Sequence, residues 1–386
     1  MEPEQRARPD VVSSFPGLER AAARVDEHGG VAVEGAIADR CGEAILPAGA
    51  EAEEPHPALQ RRRGEIRRPP IDGSSGLRSH VPKNPIRAHL CPWSGSCGAG
   101  RLGDVLTSNG LALRESPDRL GPLEPVPVAV RDDRPALWER LRRDGYLYLP
   151  GALDPEAVTA FRRYYFSSLA DVGLVAAGSD PTVGRDSGRP LRQEEFRSVL
   201  FDKIVPGAAY AEFCGQPAIR DWFAWLYEDT TFLHRRKIIR HGRPGEIGIG
   251  TATQAHYDLV YLREGTNHVL SCWIPLGDCP VRRGGLVYLE RTHHTYVARE
   301  ARGARLPPAS LDANLARLAD QHDARWLVAD YTAGDMVVHS PYIVHASLDN
   351  VDPDGVVRLS TDIRYQRAGD PIDWRWQHDW HDRDGL

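Results

Sequence analysis

The chain has 386 residues, of which 41% are hydrophobic and 26% charged, a composition typical of a globular protein with one large domain or two ordinary ones. Its net charge of −6 and the absence of a long apolar run argue against nucleic-acid-binding and membrane-spanning proteins. The 6 cysteines form no CxxC pair and the Met1 end has no apolar signal segment, so we expect a cytoplasmic protein.

The first third of the chain differs in composition from the rest. Residues 1–125 are rich in Pro, Gly, Ala, Arg and Glu, contain few aromatic residues, and show no sustained apolar period. Such segments rarely bury enough apolar surface to offset their chain entropy, so we expect a disordered extension. A basic run at residues 60–70 leaves open a nucleic-acid-binding or partner-binding tail. A translation start placed too early is a further alternative.

Residues 126–386 are expected to form the folded domain, and they begin with helices. Asp133 precedes Pro135, which suits a first helical turn, and Asp154 with Pro155 is typical of an N-cap followed by proline at N1. Apolar residues at helical spacing follow both signals, and a third helix is expected at about 218–228.

After these helices the sequence predicts many short strands separated by glycine and proline turns. The predicted strands are Thr231–Arg240, Gln254–Leu262, Asn267–Ile274, Leu286–Glu290, Trp326–Asp330, Met336–His339 and Val356–Tyr365. Residues 299–323 are predicted to form a helical crossover. Many short antiparallel strands after a helical preface predict a mainly β fold with flanking helices, whose double-stranded β-helix (jelly-roll, cupin-like) core covers about residues 231–366.

The stretch His256-x-Asp258 is the only H-x-D tripeptide in the sequence. In an extended strand, residues i and i+2 point to the same face, so an imidazole and a carboxylate would converge on one point. His345 is the candidate third ligand and His339 competes with it. Two histidines and one carboxylate, with open positions left over, form the facial triad of non-heme Fe(II) oxygenases.

A carboxylate cosubstrate at such a metal would need a buried cation. Arg358 follows His345 at a distance that could close one hairpin, and a guanidinium binds a carboxylate through a bidentate fork. Ser347 and Ser360 are hydroxyl donors on the same two segments.

Several segments occur in an order that is typical of a known family, namely Thr253–Asp258, Cys272–Asp278, Gly284–Glu290 with Thr292–His294, Gly334–His339, His345–Ser347 and Arg358–Tyr365. On these segments the chain resembles, from about Leu233 to Gln366, the phytanoyl-CoA dioxygenase family of Fe(II)/2-oxoglutarate-dependent oxygenases, and 133–169 resembles the family's N-terminal helices. The order of these segments along about two thirds of the chain makes the resemblance specific.

The resemblance implies that His256, Asp258 and His345 bind Fe(II). It also implies that Arg358 binds the distal carboxylate of 2-oxoglutarate with help from Ser347, and that Lys237 is a second cosubstrate contact. The implied reaction consumes 2-oxoglutarate and O2, hydroxylates a small organic molecule, and releases succinate and CO2. A monomer or homodimer without nucleic-acid or membrane partners is expected.

Two departures from the family pattern and two alternative functions remain. Glu290–Thr292 replaces the usual Pro-Gly-Ser turn, and the connection from His345 to Arg358 is slightly long.

Asp258 argues against the halogenating relatives, which have a small residue there so that chloride can bind. The alternatives are a cupin-type metalloenzyme without 2-oxoglutarate and a non-catalytic binding module on the same scaffold.

Overall fold

The N-terminal boundary of the fold lies earlier than residue 125. A computed structural model describes residues 105–262 and 264–382. It places strands β1 (Thr107–Ser108), β2 (Leu111–Ala112) and β3 (Leu120–Pro122) in the region that the composition predicts to be disordered. The predicted boundary at 125 is wrong because four leucines there are buried, namely Leu106, Leu113, Leu120 and Leu123. The rest of the expected extension, residues 1–104, lies outside the described residues.

The expected helical preface follows, with more helices than the sequence pattern indicates. Its elements are α1 (Arg134–Asp144), β4 (Tyr146–Leu149), α2 (Pro155–Ser168), α3 (Gln193–Ser198), which continues as a π-helical turn, α4 (Ala208–Cys214) and α5 (Pro217–Tyr227). Both predicted caps are confirmed. The Asp133 side chain accepts a hydrogen bond from the Ala136 amide, and the Asp154 side chain accepts one from the Glu156 amide.

The remaining chain forms short strands with two further helices. These elements are β5 (Thr231–Leu233), β6 (Ile238–Gly242), β7 (Ala255–His256), β8 (Leu270–Pro275), β9 (Leu286–Leu289), α6 (Thr292–Ala301), β10 (Ser310–Asp312), α7 (Leu315–His322), β11 (Trp326–Val328), β12 (Met336–His339), β13 (His345–Ser347) and β14 (Arg358–Arg367). The region 299–323 is thus helical only in part, because β10 separates its two helices.

Two sheets face each other, which confirms the predicted jelly-roll core. One sheet has the order β10-β7-β13-β9-β11-β3, and the other has the order β4-β12-β8-β14-β5, with β6 also paired to β14. Within the described residues, neighbouring strands of these two sheets run antiparallel, except that β3 and β11 run parallel. No helix within the described ranges has the length and apolar character needed to cross a membrane.

Residues alternate between two surroundings along each strand, as the pleat of a sheet requires. On β14, Leu359 and Ile363 point outwards and pack with the helical preface, whereas Arg358, Asp362 and Arg364 point into the space between the sheets. The outer face of the first sheet packs against α6 and α7 in a separate apolar cluster. Both outer faces are therefore covered, and the polar residues of the interior are concentrated between the sheets.

The first prediction concerns the N-terminal boundary. A variant that begins at residue 105 is expected to keep its fold, whereas one that begins at residue 126 is expected to lose soluble protein or most of its thermal stability. Burial of each of the four leucines contributes about 1.5–3 kcal/mol, so their combined loss approaches the roughly 5–15 kcal/mol stability of a whole domain. Thermal melting of both variants measures the difference, and equal melting temperatures would contradict the structural role of residues 105–125.

Candidate metal and cosubstrate site

An interior cavity lies between the two sheets and contains the residues that the sequence predicts to be functional. It is lined by Ile238, Arg240, Thr253, His256, Asp258, Trp273, Leu286, His345, Ser347, Arg358, Ser360, Asp362 and Arg364. A roomier surface depression near α6 is lined by Glu290, Arg291, Thr292, Thr295, His322, Asp323 and Ala324. Within the described residues, the grouped side chains that could hold a metal ion lie in the interior cavity, so the chemistry is assigned there.

His256 and His345 face each other across two neighbouring strands. In the register of β7 and β13, His345 is directly opposite His256. Directly opposed side chains of antiparallel strands are close neighbours on one face of a sheet, and the two ring centroids are 4.2 Å apart. The register therefore brings together two imidazoles that are 89 positions apart in the printed numbering.

Both imidazoles are held with Nε2 directed into the cavity. Nδ1 of His256 is 2.8 Å from the Gln254 carbonyl, and Nδ1 of His345 is 3.0 Å from the Ile343 carbonyl. A carbonyl can only accept, so Nδ1 carries the proton in both rings and Nε2 keeps its lone pair. Burial lowers the pKa of His256 to about 3 and that of His345 to about 4, so both rings are neutral near pH 7. Neutral imidazoles of this tautomer are metal ligands.

Asp258 supplies a carboxylate next to these nitrogens, but its backbone is not a strand. β7 ends at His256, and Asp258 begins a 3-10 helical turn that extends to Leu262. The predicted strand Gln254–Leu262 is therefore wrong beyond His256, although the i, i+2 pair still converges. Oδ1 of Asp258 is 3.7 Å from Nε2 of His256 and 3.8 Å from Nε2 of His345.

The arrangement fits a metal ion because one oxygen of Asp258 lacks a hydrogen-bond partner among the described residues. This oxygen, Oδ1, is buried, and a buried carboxylate oxygen without a hydrogen bond is costly unless a cation binds there. The ligand atoms of His256, Asp258 and His345 lie within 4.8 Å of one another. Two neutral imidazole nitrogens and one hard oxygen form a donor set that suits Fe(II).

The other oxygen of Asp258 is held by residues that the sequence analysis did not identify. Oδ2 accepts hydrogen bonds from the Ser271 hydroxyl and from the Arg364 guanidinium, the latter at 3.2 Å. Burial opposes ionisation of Asp258, but Arg364 and the neighbouring histidines outweigh it and hold the pKa of Asp258 well below its usual range. The period of two along β14, counted from Arg358, is the sequence pattern that points to Arg364.

His339, the competing third ligand, lies behind Asp258. Its Nε2 is 3.6 Å from Oδ2 of Asp258, the oxygen already held by Ser271 and Arg364, and its Nδ1 is 3.0 Å from the Tyr288 hydroxyl. His345 instead faces the free Oδ1. His345 therefore lies on the side of Oδ1 and His339 on the side of Oδ2.

Arg358 lies in the same cavity as the three candidate ligands. It is 6% exposed, and burial lowers the pKa of its guanidinium. Gly242 makes room for it, since a Cβ at that position would be 3.3 Å from Nε of Arg358. Within the described part of the chain, Arg358 forms no ion pair. A buried cation of this kind favours an anionic ligand.

Ser347 and Ser360 contribute hydroxyl groups to the cavity lining near Arg358. Oγ of Ser347 accepts a hydrogen bond of 2.7 Å from the Thr253 amide, which leaves its own proton available to a ligand. The Ser347 carbonyl accepts from the Ser108 hydroxyl, so the N-terminal strands also support this segment.

Lys237 does not line the cavity, which corrects its prediction as a cosubstrate contact. Lys237 directly precedes β6, whose first residue, Ile238, faces the cavity. The Lys237 ammonium donates to the Arg235 carbonyl at 2.9 Å and lies 5.7 Å from the ring centre of Tyr210. The predicted strand Thr231–Arg240 is interrupted here, because β5 ends at Leu233 and β6 begins at Ile238, so Lys237 lies in the connection between them.

The departure at Glu290–Thr292 is accommodated in the backbone. Arg291 has φ = 60°, a left-handed conformation that glycine adopts more readily, and it precedes the first residue of α6. Thr292 donates to the Leu289 carbonyl and accepts from the Val344 amide, which ties β9 to the segment before His345. The following His293 contacts the Arg142 carbonyl at the end of α1, a structural contact.

Comparisons with known proteins identify the family of this chain. The model of the phytanoyl-CoA dioxygenase (PhyH) family matches residues 141–355. A 1-deoxypentalenic acid 11-beta-hydroxylase from Streptomyces arenae is 26% identical over 254 residues, which are 61% of this chain and 82% of the relative. The protein of the same name from Streptomyces exfoliatus is 26% identical over 252 residues, again 61% and 82% of the two chains. The solved structure of the non-heme alpha-ketoglutarate-dependent epimerase SnoN from nogalamycin biosynthesis is similar at 21% identity and a TM-score of 0.43, covering 62% of this chain and 84% of that one.

Because the family match spans more than half of the chain, the protein belongs to the phytanoyl-CoA dioxygenase family and is an Fe(II)- and 2-oxoglutarate-dependent oxygenase.

Proposed function

We propose that His256, Asp258 and His345 hold the catalytic Fe(II) and that the protein hydroxylates a small organic molecule. The observation that carries the proposal is the free Oδ1 of Asp258, which is buried and faces Nε2 of both histidines. When bound, Fe(II) supplies the O2 chemistry that couples decarboxylation of 2-oxoglutarate to hydroxylation of the substrate. The protein supplies ligands, orientation and exclusion of water.

Arg358 is proposed to bind the distal carboxylate of 2-oxoglutarate, with Ser347 as a hydrogen-bond donor. Arg358 is a buried cation without an ion-pair partner in the described chain, and a dicarboxylate supplies the missing charge. The cupin alternative without 2-oxoglutarate gives this arginine no ligand. Trp273 and Leu286 form an apolar part of the lining that keeps water away from the reacting groups.

Hydroxylation rather than halogenation follows from Asp258. Its carboxylate takes the position that chloride would need, and its negative charge disfavours a second anion there. An interior cavity between two sheets suits a small molecule better than a macromolecule. The relatives named for 11-beta-hydroxylation of 1-deoxypentalenic acid support a small organic substrate, without fixing its identity for this chain.

The test is an anaerobic titration of the protein with Fe(II) and then with 2-oxoglutarate, followed by a substrate screen that measures succinate release in air. We expect a 2-oxoglutarate-dependent visible absorbance, succinate formation, and an oxygenated product that contains no chlorine when chloride is present. Metal binding without any response to 2-oxoglutarate would refute the proposal and favour a cupin-type metalloenzyme.

The hydrogen bonds to Asp258 give a second prediction. Ser271→Ala removes one donor to Oδ2, so the carboxylate is less firmly oriented, and Fe(II) affinity is expected to fall by roughly 10–100-fold, as is usual for partners of metal ligands. Ser198→Ala is the matched control, since it removes a serine–aspartate hydrogen bond on the surface. Anaerobic Fe(II) titration measures both variants, and equal affinities would show that Ser271 does not orient the ligand.

A further inference from the structure

Arg240 is a cation in the cavity that the proposed reaction does not use. It lies on β6, where Ile238 and Arg240 point to the cavity, and its Cα is paired with that of Ser360 on β14. Its side chain is partly buried, and it makes no ion pair within the residues that the structure describes. A partly desolvated guanidinium that lines a cavity is available to bind an anion.

The charges of the cavity lining also favour an anion. The lining contains three arginines, Arg240, Arg358 and Arg364, against two aspartates, Asp258 and Asp362. Fe(II) and the doubly charged 2-oxoglutarate cancel each other, so one positive charge remains when both are bound. A net charge inside a low-dielectric cavity is costly, and a singly charged anionic substrate would remove it.

Two of the arginines already have partners or an assigned ligand. Arg364 is paired with Asp258 at 3.2 Å, and Arg358 is assigned to the distal carboxylate of 2-oxoglutarate. Asp362 forms no ion pair with Arg240, and no donor in the described chain hydrogen-bonds to its carboxylate. Burial raises the pKa of Asp362, and the positive charges of Arg364 and Arg240 oppose this rise.

We propose that Arg240 binds a carboxylate of the primary substrate, so that the enzyme acts on a small monocarboxylic acid. This proposal rests on the proposed function, which supplies iron and 2-oxoglutarate as the other charges. A planar guanidinium binds a carboxylate through two parallel hydrogen bonds, which fixes the orientation of the substrate as well as its charge. Arg240 is then the anchor that holds a C–H bond of the acid in place relative to the metal.

The test uses protein loaded with Fe(II) and 2-oxoglutarate without O2. It is titrated with monocarboxylic acids of increasing size, from cyclohexanecarboxylic acid to abietic acid, and with the methyl ester of each. Binding is followed as a change in the 2-oxoglutarate-dependent absorbance. We expect at least one acid to bind about tenfold or more tightly than its ester, because only the acid offers the charged hydrogen bonds.

Variants then assign this preference to the residue. Arg240→Gln is expected to lower the binding affinity for the preferred acid by about 10–100-fold and to leave the affinity for its ester unchanged. Arg240→Lys is expected to keep part of the preference for the acid. Asp362→Asn is expected to raise the binding affinity for the acid, since it removes a negative charge from the same cavity. Arg235→Gln is the matched control, because Arg235 is exposed and paired with Asp379 outside the cavity.

Equal binding of acids and esters would overturn the proposal, as would an Arg240→Gln variant that keeps the preference or a panel in which no acid binds. A loss of 2-oxoglutarate affinity in Arg240→Gln would overturn it too, because Arg240 would then be a cosubstrate contact. Failure of the unmodified protein to develop the 2-oxoglutarate-dependent absorbance would instead refute the proposed function itself.

Discussion

Replacing His345 by alanine is expected to reduce Fe(II) affinity by more than about two orders of magnitude and to abolish substrate-dependent succinate formation. His345 provides one of the two neutral Nε2 atoms that face Oδ1 of Asp258, at 3.8 Å. Loss of a residue that only orients a ligand costs about 10–100-fold in metal affinity, so the loss of a ligand itself should cost more. Anaerobic titration with Fe(II) measures the affinity directly, independently of turnover.

His339 is the control for this prediction, because it is an equally buried histidine beside the same aspartate. Its Nε2 faces Oδ2, which keeps its hydrogen bonds to Ser271 and Arg364 when His339 is changed. His339→Gln is therefore expected to bind iron within about 100-fold of the unmodified protein. The opposite result, with iron lost in His339→Gln and kept in His345→Ala, would reverse the ligand assignment.

The site residues found from sequence are those whose spacing follows strand geometry or the order of the family's motifs. His256, Asp258, His345, Ser347 and Arg358 all line one cavity. The His256–Asp258 pair was predicted to converge because residues i and i+2 of an extended strand point to the same face. This explanation holds only in part, because the backbone turns into a 3-10 helix at Asp258. Convergence of i and i+2 therefore does not require a continuous strand.

The period of two along β14 places Arg364 on the same face as Arg358, but the contacts of Ser271 and Arg364 with Asp258 depend on tertiary structure that local sequence does not give. Ser271 meets Asp258 across a loop, and Arg364 reaches it from another strand, 106 positions further along the chain. The structure gives no support to Lys237 as a cosubstrate contact, because the sequence predicted one continuous strand where the chain leaves β5 and re-enters as β6 after Lys237.

The composition of residues 105–125 led to a wrong prediction of disorder. Residues 105–125 lack aromatic residues and a regular apolar pattern, but Leu120 and Leu123 insert into a core built by the rest of the domain. β3 gains its hydrogen bonds from β11, and the amide of Asp349 donates to the carbonyl of Thr107 at 2.8 Å. Such an edge segment is stabilised by tertiary contacts, so local sequence carries little information about it.

The prediction for Arg358 distinguishes the 2-oxoglutarate-dependent reaction from the cupin alternative. Arg358→Ala is expected to weaken 2-oxoglutarate binding by about two orders of magnitude or more, while Fe(II) affinity changes little. Truncation of one partner of a desolvated charge pair costs roughly 2–5 kcal/mol, and each 1.4 kcal/mol corresponds to about a factor of ten. Arg358 is 6% exposed and has no other ion-pair partner in the described chain, so the bound dicarboxylate would be its counter-ion.

Arg358→Lys separates the effect of charge from that of geometry. Lysine keeps the positive charge but not the planar fork, so its affinity for 2-oxoglutarate is expected to lie between those of the unmodified protein and Arg358→Ala. Titration of 2-oxoglutarate into the Fe(II)-loaded variants under anaerobic conditions gives the three affinities, and thermal melting shows whether each variant is folded. Arg235→Ala is the control, because it removes an exposed arginine from outside the cavity. If folded Arg358→Ala and Arg358→Lys both bound 2-oxoglutarate with unmodified affinity, Arg358 would be a structural residue and the distal carboxylate would need a different partner in the cavity.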